Sequence, residues 1–312
     1  MNGRFKKSIR ASMRVCTFRP LVFAWSVTQA LRLFRSDSKS MFWHAKRLYK
    51  TMKQPWDPLS GSTPSILNLL IVIHPKDFAN LLNCVVSVRN LSGHTVDRCI
   101  VVTTAEGVTD VAAILIGQPK VEIICEDEII LYEDRIGIKN KFPLIYGWVL
   151  QQFIILQLAA ESSRPLLTLD SDTVIRNPRV LIAEDGCQIL TPTVEFHRPY
   201  YSVLDAVNLN SNLFEYSFVP HWMIYQPAIV QSLILDSGAP DISGLLRLML
   251  EAADAVSPSP LSADYELYAQ YLYANKPESW RLARWANAVD EPFPLLKKKC
   301  KLHTLSLHQY WA

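Results

Sequence analysis

From position 65 onward the chain alternates between continuous apolar runs and stretches whose apolar residues recur at helical spacing. Ile66 to Ile73 (ILNLLIVI) is nearly all apolar, the pattern of a strand covered on both faces in a parallel sheet. Over Asp77 to Arg89, Phe78, Leu81, Leu82, Val85 and Val88 share one broad helical face. Asp97 to Thr104 (DRCIVVTT) predicts a second strand and Gly107 to Gly117 a short helix. Val121 to Cys125 predicts a third strand, which runs into Glu126-Asp127-Glu128. A long helix follows from Tyr146 to Ala160 (YGWVLQQFIILQLAA), then a strand from Pro165 to Leu169. Strands and helices in this order imply right-handed βαβ crossovers and a mostly parallel sheet with flanking helices.

After Asp172 the rhythm changes. A short strand, Cys187 to Thr191, precedes helical stretches at 199–210, 226–236, 242–254 and 262–274, with Ser257-Pro-Ser-Pro260 breaking the chain before the last. The expectation is one α/β domain, residues 61–312, with a nucleotide-binding first half and a helix-rich C-terminal half that walls a cleft. No internal repeat is visible.

Residues 1–60 stand apart. They hold thirteen Lys or Arg against two Asp or Glu, a net of +11, whereas the remaining 252 residues hold nineteen against twenty-seven, a net of −8. An acidic body is a poor surface for duplex nucleic acid, so no nucleic-acid partner is expected. The uncharged run Pro20 to Leu31 is too short to cross a bilayer, and no small-x-small cleavage site closes it. Phe34, Phe42, Trp43 and Tyr49 alternate with Arg32, Arg35, Lys46, Arg47 and Lys50. Such an arm suits peripheral contact with an anionic membrane, or is simply a loosely docked tail. Gln54-Pro-Trp-Asp-Pro58 and Gly61-Ser-Thr-Pro64 mark where the folded body begins.

The six cysteines, at 16, 84, 99, 125, 187 and 300, form no CxxC. That spacing suits a reducing compartment, hence the cytoplasm, with the inner face of the cell membrane as a peripheral location. A chain of 312 residues buries enough surface to stand without disulfides or a structural metal.

The sharpest chemical signal is Leu166-Leu-Thr-Leu-Asp170-Ser-Asp172-Thr-Val-Ile-Arg-Asn-Pro178. It puts two carboxylates directly after a buried strand, where ligands of open α/β sheets bind. Two Asp at i and i+2 in a turn suit one hard divalent cation, Mn²⁺ or Mg²⁺, which also accepts phosphate oxygens and eases departure of a diphosphate. Asp170-Ser-Asp-Thr-Val174 also fits a haloacid-dehalogenase-like phosphatase with Asp170 as nucleophile. That pattern belongs on a first strand, however, and three predicted strands precede it here.

Four blocks carry a wider resemblance: Gly147-Trp-Val-Leu-Gln-Gln152, Leu166 to Pro178, Ser217-Phe-Val-Pro-His221-Trp-Met223 and Ser262-Ala-Asp-Tyr-Glu-Leu-Tyr268. In this order they resemble a bacterial family of GT-A-like glycosyltransferase type, domain of unknown function 6492. The resemblance spans roughly 66–311, leaving the basic arm outside. The family's serine-glutamate-aromatic block stands here as Ala263-Asp264-Tyr265, a shorter carboxylate. The resemblance implies a GT-A-like α/β fold and transfer of a sugar from a nucleoside diphosphate sugar. It puts Asp170 at the nucleotide ribose and the metal, and Asp172 on the metal. A C-terminal His, His308 with His303 as competitor, would be a third ligand.

On the acceptor side, an inverting transfer needs a carboxylate to take the hydroxyl proton. Asp264 and Glu266 open a predicted helix, whose N-terminal dipole favours negative charge. Two residues apart on a helix, they point different ways, and Asp264 is the preferred base. A helix-start preference for acids is the plainer explanation of both. His221 and Trp222 are candidates for acceptor binding, the indole offering a face to sugar C–H groups. A core role is the plainer reading of both. Gln151 and Gln152 lie in an apolar helix and either face ligand or its wet side. Arg281 and Arg284, flanked by Trp280 and Trp285, and more weakly Lys139 and Lys141, are candidates for the donor diphosphate. Lys297-Lys-Lys299 suits solvent or membrane phosphate.

The expected activity is therefore a metal-dependent glycosyltransferase with a saccharide or lipid-linked saccharide acceptor in surface glycan synthesis. The rivals are the phosphatase and a non-catalytic sugar-binding or membrane-peripheral protein.

Overall fold

The computed structural model describes residues 65–91, 93–176, 180–193, 204, 207, 217–252 and 264–283, and the backbone of two further short strands at 287–289 and 304–306. The basic arm, and with it every expectation placed on residues 1–64, lies outside the described residues, as does most of the stretch at 199–210.

Five strands form the central sheet: β1 (Ser65–Val72), β2 (His94–Thr103), β3 (Val121–Cys125), β4 (Leu166–Leu169) and β7 (Trp222–Tyr225), in the order β3-β2-β1-β4-β7. The first four are mutually parallel, and β7 runs antiparallel to β4. The mostly parallel sheet expected from the sequence is what the chain builds. Its apolar runs hide a period of two. Leu70, Ile100, Val102, Leu166, Met223 and Tyr225 enter one core, while Leu67, Leu69, Ile71, Val101, Leu167, Leu169, Trp222 and Ile224 enter the other. Because both faces are covered, neither set can be polar.

Helices α1 (Phe78–Ser87) and α2 (Val108–Ile114) cover the second face. The other face is covered by α3 (Tyr132–Lys141), α4 (Tyr146–Glu161), α5 (Pro227–Asp236), α6 (Ile242–Ala252) and α7 (Tyr265–Asn275). Helix α4 is apolar nearly all round, with Val149, Leu150, Phe153, Ile154, Ile155, Leu156 and Ala159 buried. A helix of that kind belongs under others, and α5 and α6 lie across it. No helix among the described residues is long and apolar enough to cross a membrane. Smaller pairings complete the chain: β5 (Thr173–Ile175) with β10 (Thr304–Ser306) and β9 (Asn287–Val289), and β6 (Gln188–Leu190) with β8 (Trp280–Leu282). The four described cysteines, Cys84, Cys99, Cys125 and Cys187, are free thiols.

The strand order places the site. From β1 the chain steps outward to β2 and β3, then returns through α4 to β4 on the other side of β1. The direction reverses between β1 and β4, and a crevice opens at such a switch point beyond the carboxyl ends of the strands. Asp170 is the first residue past the end of β4.

Candidate active site

Asp170 opens a tight turn. The Thr173 amide donates to the Asp170 carbonyl at 2.8 Å, closing a β-turn with Asp at its favoured first position. The chain then reverses away from the sheet into β5. The Asp170 amide donates to the His221 carbonyl at 3.1 Å, carrying the β4–β7 ladder one residue further. In that ladder Leu166 faces Tyr225 and Thr168 faces Met223. The two-residue alternation therefore sets Asp170 and His221 opposite one another on the α7 side. There the Asp170 Oδ2 lies 2.8 Å from His221 Nδ1, and Oδ1 accepts from the Tyr265 hydroxyl at 2.6 Å. The carboxylate is thus fixed from two elements, 51 and 95 residues downstream, yet 27 % of the Asp170 side chain remains exposed.

His221 occupies the left-handed region, φ 67, a conformation that costs a residue with a Cβ on the order of 1 kcal/mol. Backbone strain of this sort persists where the surroundings over-determine it. Here the carbonyl of His221 is spent on Asp170 N and its ring on Asp170 Oδ2.

Tyr265 begins α7 with its ring in the core and its hydroxyl at Asp170. Burial pushes its phenol well up, with the Asp170 and Asp264 charges adding to the effect, so the hydroxyl stays protonated and donates. Asp264, just before α7, is itself buried. Burial raises its carboxyl to about 7, bonds from the Tyr265 and Asp264 amides pull the other way, and the Asp170 charge pushes it up further. Burial and the neighbouring Asp170 charge together hold the Asp264 carboxyl toward its protonated form. Asp172 is half-buried on the same turn, with the Thr173 hydroxyl 3.5 Å from its Oδ1.

The structure brings His221 onto Asp170 and places Asp264 within reach of its charge, while Asp172 follows two residues later in the same turn. The other expected residues fall elsewhere. Glu266 is fully buried and accepts from the Ser217 hydroxyl at 2.8 Å, the Phe218 amide at 3.0 Å and Gln270 Nε2 at 2.7 Å. It braces the chain leading into β7. Trp222 is 1 % exposed and packs in the α1-side core, so its indole has no face left for a sugar. The period of two that sends His221 toward α7 sends its neighbour the opposite way. Arg281 is exposed and donates to Asp185 at 2.8 Å. Lys139 is exposed on α3, and Lys141 donates to the Leu250 carbonyl. Gln152 is buried and donates to the Trp148 carbonyl at 3.2 Å, while Gln151 is half-buried. His308, His303, Arg284, Trp285 and Lys297 to Lys299 lie outside the described residues.

Tyr265 is the contact that sequence reasoning did not assign. The available signal was the aromatic position in the fourth family-like block, beside Asp264. No group of three His, Cys, Asp or Glu side chains close enough to hold a metal ion occurs among the described residues. Mg²⁺ needs fewer protein ligands than that, since it is commonly held by one or two carboxylates with waters and substrate phosphates completing its shell. Asp170 and Asp172 are the residues that could supply such a donor set: a carboxylate has about four lone-pair sites, so Asp170 keeps acceptor capacity beyond its two bonds.

No protein-family model matches the chain, and no curated protein does. Among solved structures the chain is similar to mouse xyloside xylosyltransferase 1 in its apo form, with a TM-score of 0.40 and 10% identity over 78% of this chain and 98% of that one. It is similar to the galactosyltransferase LgtC in complex with donor and acceptor sugar analogs, with a TM-score of 0.43 and 15% identity over 77% and 86%. It is also similar to the bifunctional glycosyltransferase WbbM, with a TM-score of 0.40 and 12% identity over 83% and 48%.

Proposed function

We propose that this chain is a GT-A-like glycosyltransferase of the domain of unknown function 6492 type, moving a sugar from a nucleoside diphosphate sugar to a hydroxyl acceptor. The observation that carries the reading is the placement of Asp170 and Asp172 at the switch point, with Asp170 oriented by His221 and Tyr265. A crevice with prepositioned carboxylates and a neighbouring acid poised near neutrality is equipped for an anionic, metal-associated substrate and a proton transfer.

Asp170 and Asp172 would hold Mg²⁺ or Mn²⁺, which when bound supplies the positive charge that neutralises a departing diphosphate. His308 is a third donor in this proposal. His221 and Tyr265 keep the Asp170 carboxylate from rotating and leave its remaining lone pairs for the cation. Asp264, titrating near 7, takes the proton from the acceptor hydroxyl, a task suited to a base whose pKa lies near the working pH. Glu266, with both oxygens occupied in the core, is left out of the chemistry. Lys139 and Arg281 remain secondary candidates for the diphosphate. The phosphatase alternative needs its Asp-x-Asp after a first strand, whereas Asp170 follows β4, the fourth strand of the chain. Residues 1–60 would form a basic arm touching anionic membrane on the cytoplasmic face, residues 61–312 the transferase domain, and a saccharide or lipid-linked saccharide of a surface glycan the acceptor.

The test is titration calorimetry of the full chain with nucleoside diphosphates and their sugars, with and without Mn²⁺. Mn²⁺-dependent binding that disappears in Asp172→Asn is the expected result. Unchanged Mn²⁺-dependent affinity in that variant would remove Asp172 from the site, and no binding of any nucleotide would remove the transferase reading.

A further inference from the structure

An opening lies on the face of the sheet that α1 covers. A groove of about 600 Å³ is lined by Asn83, Val86, Ser87, Arg89 and Asn90 from α1 and its end, and by Val174, Ile175 and Arg176 along β5. Its floor is tied together: the Asn90 amide donates to the Ile175 carbonyl at 2.7 Å, and the Ile175 amide donates to the Ser87 hydroxyl at 3.0 Å. The spacing Asn83, Val86–Ser87 and Asn90 is one face of α1, so the side chains stand in a row along the groove.

Its charge is unusual for this body. Among the described residues there are seven arginines, and five of them have a carboxylate partner. Arg98 pairs with Glu122, Arg135 with Asp127, Arg164 with Asp97, Arg247 with Asp134 and Arg281 with Asp185. The two without one among the described residues, Arg89 and Arg176, both line this groove. Arg89 spends one N–H on Gln118 Oε1 at 3.2 Å, which leaves most of its donor fork in hand. In an acidic domain, two guanidinium groups beside one cleft, with no carboxylate partner among the described residues, are an anion-binding arrangement. Two positive charges match the double charge of a phosphate monoester better than the single charge of a carboxylate, and the planar fork grips phosphate oxygens in pairs.

We propose that the α1–β5 groove binds a phosphate monoester through Arg89 and Arg176, with the Asn83 and Asn90 amides lining the remainder and Val86 and Val174 covering its apolar part. The phosphate is carried either by a soluble ligand or by a lipid head group. This site stands independently of the transferase reading. The two are nonetheless joined in the chain, since β5 starts one residue after Asp172 and an occupied groove would steady the strand into which that turn runs.

The experiment measures affinity of the full chain for inorganic phosphate and glucose 1-phosphate by calorimetry, and for vesicles of phosphatidylcholine with and without phosphatidic acid by sedimentation. Arg89→Ala and Arg176→Ala are each expected to weaken binding about tenfold, the size of one charge-assisted contact. Arg98→Gln, which removes the same charge from another surface, should leave it unchanged. Binding of the soluble phosphates assigns the groove to a soluble ligand, and selective binding of phosphatidic acid vesicles assigns it to lipid. Binding that survives the double Arg89→Ala, Arg176→Ala variant, or falls equally with Arg98→Gln, overturns the proposal. So does the absence of binding to all of these probes at millimolar concentration.

Discussion

The Asp264 carboxyl offers a quantitative check on the buried acid at the site. Its value moves from an ordinary 3.8 to about 7 on folding. The unfolded chain releases this proton near pH 4 and the folded chain only near 7, so folding is progressively penalised as pH rises through that window. Above it the penalty is constant. At about 1.4 kcal/mol per tenfold difference in proton affinity, the full penalty is on the order of 4 kcal/mol. Asp264→Asn removes the titration while keeping one acceptor oxygen for the Tyr265 amide. Urea unfolding of both proteins should be followed by tryptophan fluorescence from pH 4.5 to 8.5 in EDTA. The variant's stability minus that of the wild type should climb by several kcal/mol between pH 4.5 and 7.5 and then flatten. Taking the difference cancels every other titrating group distant from the substitution. Repeating the pair in an Asp170→Asn background should move the climb to lower pH, because one of the charges holding Asp264 neutral is gone. A difference that is flat across the range would refute the placement of Asp264 in a desolvated site, as would one that falls.

Three further outcomes follow from named contacts. His94 is held neutral, with burial lowering its value from 6.5 to about 4 while its Nε2 accepts the Leu181 and Ile182 amides at 2.9 and 3.3 Å. Stability should therefore drop as pH falls from 6.5 toward 4, by on the order of 2 kcal/mol once partial exposure is discounted, and His94→Gln should flatten that limb of a urea-melt series. Glu266→Ala strands the Phe218 amide, the Ser217 hydroxyl and Gln270 in the core and should cost about 3 kcal/mol, whereas Glu266→Gln, which keeps an acceptor for the first two, should cost about 1 kcal/mol. Chemical denaturation separates these cases, and equal losses would show that the carboxylate is not a brace. A Cβ on Gly107 would sit 2.5 Å from Thr103 Oγ1 and 2.8 Å from Phe78 Cζ. Gly107→Ala should therefore cost about 2 kcal/mol through overpacking, and a double variant that also carries Thr103→Ala should recover part of the loss in thermal melts.

How much of this was legible in the sequence depends on what each element buries. Strand β1 and helix α4 announce themselves because each carries an unbroken run of buried residues, and Val121 to Cys125 is the strand to the residue although it lies half-buried at the sheet edge. Helix α3 gave no signal: YEDRIGIKNK buries only Asp134 and Ile138, too few positions for a helical stripe. Strand β7 was hidden by its length of four residues and by Pro220 and His221 before it. At the site, Asp170 was readable from its position after an apolar strand, since that position is a property of the local chain. Its orientation was not, because the hydroxyl and imidazole that impose it arrive from far along the chain and no spacing rule links them. The same reasoning misplaced Trp222: beside His221 it invited a binding role, but in a strand adjacent residues face opposite ways. Glu266 looked as chemical as Asp264 because a carboxylate at a helix start has the same appearance whether it meets a crevice or a core.

The left-handed backbone at His221 sets stability against recognition at a single codon. Glycine would adopt that geometry without steric cost, so a library selected only for heat tolerance should drift toward glycine at this position. It would lose the imidazole that steadies Asp170 as it did so. Thermostabilised forms meant to keep the orientation of Asp170 will therefore need residue 221 held fixed while the rest of the fold is allowed to vary.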